Sequence, residues 1–220
     1  MDRLAQGRQR PPRRSLQPLV WALGLIGGLA VLGAVAYTAL KLPHNPRVAS
    51  DAQVSSLIGG PFRLIDQNEN IVTNTALKGK WLLVYFGYTR CPDTCPTALT
   101  NIALALRDLG PAKQQVRPVF ITIDPERDTS QALKDYVAAF DAPLLALTGS
   151  ADAIAQAAAD YRVYYAKRPE PGGDYFMDHT AIIYVMNPEG RFTASFTPED
   201  QPEQMAARLK RLLELDQPRT

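Results

Sequence analysis

Both cysteines of the chain lie four positions apart in one stretch, Tyr85-Phe86-Gly87-Tyr88-Thr89-Arg90-Cys91-Pro92-Asp93-Thr94-Cys95-Pro96. An apolar run from Trp81 to Phe86 precedes them and reads as a buried strand. A helical pattern with few breakers follows, from Thr94 to Leu109, ahead of Gly110. The thiols therefore fall where a strand hands over to a helix. Free N–H groups and aligned peptide dipoles at a helix N-terminus favour negative charge, so thiols placed there tend toward thiolate. A thiolate attacks disulfides and binds metals. The plainer alternatives are a structural disulfide or two buried thiols. A bridge across three intervening residues closes so short a loop that chain entropy gives it little stabilising effect, which favours a reactive pair.

The elements that must position this pair occupy one globular domain. The 220 residues suffice for a membrane anchor and one domain with a proper core, and hardly for two. The formal charge of +2 conceals an asymmetry: Arg3, Arg8, Arg10, Arg13 and Arg14 precede residue 19 against the single acid Asp2. Beyond that point 19 bases face 21 acids, a net of −2. Such a domain has no footprint for nucleic acid, and two cysteines are too few for a disulfide-rich secreted scaffold.

Residues 1–18, rich in Arg, Gln and Pro, read as a disordered cytoplasmic tail. Leu19 to Leu40 then gives 22 residues without a charge, a helix of ~33 Å that suffices to cross a bilayer. The arginines immediately before it predict a cytoplasmic tail and an exported C-terminal domain. Trp21 and Tyr37 suit interfacial anchors. A cleavable signal ending near Ala34-Val35-Ala36 is the alternative, but the apolar run is longer than a signal core of ~7–15 residues. Arg13-Arg14 is a poor match to twin-arginine export. Gly24 and Gly28 are spaced for helix pairing, though glycine is common in such helices. Residues 41–58 read as a linker, where His44 stands among prolines as a solvated residue rather than a ligand.

The domain is expected over residues 59–216. Phe62–Ile65 and Ile71–Thr73 flank a turn-rich cluster and predict a β-hairpin. After the cysteine helix, Val116–Ile123 predicts a strand ended by Asp124-Pro125, and Thr129 caps a helix to about Phe140. Leu144–Leu147 reads as a strand and Ser150 as the cap of an alanine-rich helix to Tyr161. Arg162–Lys167 alternates like a strand at a sheet edge, and 169–174 is a loop. Ala181–Met186 and Arg191–Phe196 predict a second hairpin. A helix from about Pro198 to Leu215 closes the domain, with Met205, Leu209, Leu212 and Leu213 inward. Strands alternating with helices describe an α/β sheet covered on both faces.

That order, with a cysteine pair after the first central strand, is similar to a thioredoxin-like fold with an extra N-terminal β-hairpin, preceded by one transmembrane helix. Two departures bear on the chemistry. Ordinary thioredoxin-like redox enzymes carry two residues between the cysteines, whereas here there are three, and on a helix i and i+4 share a face with Cβ atoms roughly 6 Å apart. The loop before Ala181, where those proteins place a proline facing the cysteines, instead reads Asp178-His179-Thr180. Cys91, Cys95 and His179 then supply two sulfurs and an imidazole. Soft thiolates select Cu(I) and the mixed set also accommodates Cu(II), while zinc generally takes a fourth ligand. Asp178 is either an orienting partner of the imidazole or a turn residue. Met177 shares a strand face with His179 and reads as core. Asp93 tunes the thiols or caps the helix.

At these motifs the chain resembles the Sco/SenC family of thioredoxin-like proteins. The likeness runs from Gly59-Gly60-Pro61-Phe62 through the cysteine stretch and Thr122-Ile123-Asp124-Pro125-Glu126-Arg127-Asp128-Thr129 to Tyr175 and Asp178-His179-Thr180. The resemblance implies that Cys91, Cys95 and His179 bind one copper ion, as Cu(I) or Cu(II), for delivery to the dinuclear copper site of cytochrome c oxidase subunit II. Asn70 departs from it, standing where glycine is usual in the first hairpin turn, and Asn tolerates a similar geometry. The Asp124–Asp128 segment resembles a surface feature of the family, or simply a helix-initiating loop.

Two functions of different class follow. One is a copper metallochaperone; the other is a thiol-disulfide oxidoreductase in which Cys91 and Cys95, as a redox-active pair, reduce the oxidase cysteines. A peroxidase fits the motif less well. Topology places the protein in a bacterial inner membrane with its domain in the periplasm. Its partners would then be the oxidase subunit, membrane lipid around the helix, an unnamed copper donor and a thiol reductant that keeps the pair open in an oxidising compartment.

Overall fold

Seven consecutive residues, Trp81–Gly87, are buried in the computed structural model, which describes residues 57–216 together with Tyr37. Burial of every residue, not alternate ones, requires cover on both faces. The chain builds this around β1 (Arg63–Asp66), β2 (Ile71–Thr73), β3 (Trp81–Gly87), α1 (Thr94–Asp108), β4 (Val116–Thr122), α2 (Ser130–Val137), β5 (Leu145–Thr148), α3 (Ala151–Asp160), β6 (Tyr165–Pro169), β7 (Tyr175–His179), β8 (Ile183–Met186), β9 (Phe192–Phe196) and α4 (Pro202–Leu215). All lie within the compact unit Ala49–Thr220.

The main sheet runs β2-β1-β5-β4-β3-β8-β9. β3, β4 and β5 are parallel, while β1 and β8 are antiparallel to their central neighbours. Parallel strands need long crossovers, which α1 and α2 supply. Helix α1 buries Ala98, Leu99, Ile102, Ala105 and Leu106, one apolar stripe at helical spacing, and packs beside α4. Local chemistry starts the helices where the sequence implies. Thr129 Oγ1 accepts from Ala132 N at 3.2 Å and Ser150 Oγ from Ala153 N at 3.2 Å, each satisfying a free donor of a first turn. The thioredoxin-like arrangement and the extra β1–β2 hairpin are both present.

Some boundaries and one partner differ from expectation. The alternating segment after Tyr161 does not join an edge of the main sheet. Arg162 takes φ 58° where α3 ends, and β6 pairs only with β7 in a separate two-stranded ribbon. The 169–174 loop is the turn of that ribbon. Helix α2 stops at Val137, and α4 starts at Pro202 because Asp200 Oδ2 accepts from Thr197 N at 2.7 Å and holds a turn before it. In α4, Met205, Leu209 and Leu213 are buried and Leu212 is half-buried. The left-handed residue of the first hairpin is Glu69, φ 67°, rather than Asn70, whose amide instead donates to the Asp66 carboxylate.

The expected tail, span and linker over 1–56 lie outside the described residues except for Tyr37, which is helical and exposed. No helix among the described residues is long and apolar enough to cross a membrane.

Candidate metal centre

Helix α1 begins with Thr94, so Cys95 sits in its first turn, fully buried, whereas Cys91 lies in the preceding turn and is half-buried. The two are therefore not stacked on one helix face, as i and i+4 spacing suggests. They converge because Cys91 Sγ accepts the Cys95 N–H at 3.3 Å. Asp93 occupies the cap position yet makes no side-chain bond to the helix backbone; Thr97 Oγ1 donates to it at 3.5 Å. The sulfur of Cys91 thus receives an N-terminal donor that a polar cap would ordinarily take.

His179 is the last residue of β7, not part of a loop, and pairs in register with Tyr165. Its Nε2 lies 3.6 Å from Cys95 Sγ, and its Nδ1 lies 3.0 Å from Thr180 O. A carbonyl can only accept, so Nδ1 carries the proton and Nε2 presents its lone pair to the sulfurs. Tyr85 and Tyr88 meet the imidazole edge-on, with ring centroids 6.1 Å and 6.0 Å away. One ligand atom from each of Cys91, Cys95 and His179 lies within 4.8 Å of the others, a group that could hold a metal ion.

The neighbours of His179 divide by strand alternation. Met177 is buried in the core, as expected. Asp178 does not orient the imidazole; Arg168 Nη2 donates to it at 2.8 Å across the ribbon. His44 lies outside the described residues.

The two thiols are electrostatically unequal. A hydrogen bond from the Cys95 thiol, helped by the N–H groups of Cys95 and Asp93, holds Cys91 down to about 4 against its partial burial. Cys95 is pushed up, by its bond to Cys91, by burial and by the Cys91 charge. Tyr85 is raised by burial and by its neighbour Cys95, to which its hydroxyl donates at 3.9 Å. Near neutral pH the site therefore offers one thiolate at a cleft lined by Tyr88, Asp93, Phe176 and His179, backed by one buried thiol.

Several supporting residues had no distinct signal in the sequence. Gly87 ends β3 where an added Cβ would stand 2.7 Å from Cys95 Sγ and 2.9 Å from Phe120. The Asp124–Asp128 segment reaches the surface at Glu126, but its two aspartates are interior: Asp124 is 1% exposed and Asp128 0%. Asp128 accepts from Thr89 N at 3.0 Å, Thr89 Oγ1 at 2.6 Å and Thr122 Oγ1 at 2.6 Å. It thereby ties the cysteine loop to β4. Burying a carboxylate requires such donors, and they come from residues distant in sequence. The available clues were the place of these acids in a motif of the family resemblance and their density beside a strand end.

A family model described as SCO1/SenC matches residues 50–214. The chain is similar to ScoI of Bradyrhizobium japonicum, solved with copper bound, at 50% identity and a TM-score of 0.67, covering 70% of this chain and 98% of that one. Yeast Sco1 with copper bound is 36% identical with a TM-score of 0.68, over 73% of this chain and 91% of that one. The mitochondrial SCO2 homolog of Bos taurus is 37% identical over 211 residues, 94% of this chain and 78% of that protein.

Proposed function

The chain belongs to the SCO1/SenC family, and from that premise we propose that it binds one copper ion through Cys91, Cys95 and His179 and delivers it to the dinuclear copper site of cytochrome c oxidase subunit II. The observation that carries the reading is the convergence of the three donor atoms within 4.8 Å. Two sulfurs of soft character and an imidazole match copper in either oxidation state. The copper-bound relatives share the fold around this site. Copper is cargo here, so the chain's own residues supply capture and release: the Cys91 thiolate is the accessible first ligand, and the buried Cys95 and the half-buried His179 complete the set.

In this reading residues 19–40 anchor the protein in a bacterial inner membrane, residues 1–18 stay in the cytoplasm, and the domain over 59–216 works in the periplasm. A copper donor and a thiol reductant act before delivery.

The test is an anaerobic titration of the reduced full chain with Cu(I) and Cu(II), beside a His179→Ala variant, reading stoichiometry and thiolate-to-copper absorption. One ion held tightly by the parent is expected in each oxidation state, with the variant losing most of its Cu(II) affinity and little of its Cu(I) affinity. Equal Cu(II) binding by both would sink the three-ligand site.

The inequality of the thiols favours a second reading, thiol-disulfide exchange. The Cys91 thiolate would attack a target disulfide, forming a mixed disulfide and releasing one target thiolate. Cys95, once deprotonated, would displace the second, leaving the target with two thiols and this chain with a Cys91–Cys95 disulfide. Failure of the reduced chain to reduce an oxidised subunit II copper-site peptide would exclude it.

A further inference from the structure

His179 stands on the β6–β7 ribbon, which shares no ladder with the seven-stranded sheet. A two-stranded ribbon is marginally stable in water by itself, so contacts beyond its own ladder must place it. At the His179 end the bonds are internal: Thr180 N donates to Tyr164 O at 2.9 Å, and Tyr164 N donates to Thr180 Oγ1 at 3.1 Å. Midway along β7 Met177 packs into the core, and a hydrogen-bonded, charged clasp to the segment after β4 lies at the other end of the strand. The Tyr175 hydroxyl donates to Asp124 Oδ1 at 2.8 Å, and its ring lies 3.6 Å from the Arg127 guanidinium and 4.6 Å from Lys167 Nζ.

Arg127 completes the junction. Its Nε donates to Asp124, while Nη1 donates to Tyr175 O at 2.9 Å and to Asp174 Oδ1 at 2.8 Å. Its Nη2 is buried without a hydrogen-bond partner among the described residues, and the aromatic ring offsets part of that loss. The Asp124 end of this junction is rigid, because Asp124 N donates to Thr122 Oγ1 at 2.9 Å directly after β4. The cysteine loop has its own principal tether, Asp128 to Thr89, and only an exposed link to this junction, Arg90 Nη1 to Asp174 Oδ2 at 3.6 Å.

We propose that Arg127 and Tyr175 are positioning residues for His179: they hold the ribbon so that the imidazole meets the cysteines, and their loss withdraws the imidazole while leaving the thiol pair intact. The proposal rests on the copper reading above. Tyr175 and His179 lie on one face of β7, about 13 Å apart, so a small tilt at the clasp becomes an ångström-scale displacement at the ligand. Cu(I) is satisfied by soft thiolates and responds little, whereas Cu(II) depends more on the imidazole.

The test uses the full chain with Tyr175→Leu, Tyr175→Phe and Arg127→Ala, and His179→Ala as benchmark. Readouts are Cu(II) affinity, nitrogen coupling in the Cu(II) electron-paramagnetic spectrum, Cu(I) affinity, and the alkylation rate of Cys91 without metal. Expected for Tyr175→Leu and Arg127→Ala is a loss of Cu(II) affinity of about 10–100-fold, weakened nitrogen coupling, and Cu(I) affinity and alkylation changed less than about threefold. Tyr175→Phe, which keeps the ring under Arg127, should rescue most of the loss. Parental Cu(II) spectra in both disruptive variants, or a parallel fall in all four readouts, would overturn the proposal. If Arg127→Ala does not fold, the two Tyr175 variants decide. A His179→Ala benchmark that binds as the parent does would refute the copper reading itself, a distinct result.

Discussion

Replacing Gly87 by alanine isolates a steric requirement of the site. The backbone there is not in the left-handed region, so alanine brings no conformational strain, only a methyl group 2.7 Å from Cys95 Sγ and 2.9 Å from Phe120. Ordinary non-bonded contacts lie at about 3.5–4.0 Å, an overlap of about 1 Å. Cys95 and Phe120 are both fully buried, so neither can escape into solvent. Overpacking of this kind costs about 1–3 kcal/mol, which lowers the melting temperature by about 2–12 °C in a protein of this size. The sulfur must also move, and a metal–ligand distance tolerates only about 0.2 Å, so copper affinity should fall at least about tenfold. Thermal unfolding and copper titration of Gly87→Ala measure both effects. The double variant with Cys95→Ala is the control: with the sulfur gone, the stability loss due to Gly87→Ala should shrink, a coupling between touching residues. A Gly87→Ala protein that melts within about 1 °C of the parent and keeps its copper affinity would refute the close-approach argument.

Asp128→Ala strands the donors of Thr89 and Thr122 and should cost about 2–4 kcal/mol, measured by denaturant unfolding. Burial holds the Asp128 carboxyl above its usual range despite those donors. The folded value thus exceeds the unfolded one, and the associated stability is present below about pH 4 and lost as pH rises. The parent should therefore lose stability relative to Asp128→Asn between about pH 4 and 7; a constant difference would contradict the raised value. With Cys91 held down to about 4, its alkylation by iodoacetamide should be nearly flat from about pH 6 to 8, while Cys95 stays unmodified. Cys95→Ala removes the principal donor and should restore a rate that climbs with pH, and a parent rate rising about tenfold per pH unit there would refute the assignment.

The elements and the chemistry were legible locally. The apolar run of β3, the caps Thr129 and Ser150 and the thiols at the start of α1 follow from adjacent residues, because hydrophobic period and capping act over one or two turns. The motif resemblance identified Cys91, Cys95 and His179 together. What required the tertiary structure was who meets whom. Alternation in the segment after Tyr161 signalled a strand but not that its partner is β7, since a strand's period carries no record of its neighbour. Gly87 is required by a sulfur from the next element, and Asp128 by Thr89, 39 positions away. Asp124 and Tyr175 meet across 51 positions. Buried charge is tolerated only where distant donors converge, so Asp124 and Asp128 became interior once the chain had folded around them, while Glu126 between them stayed exposed.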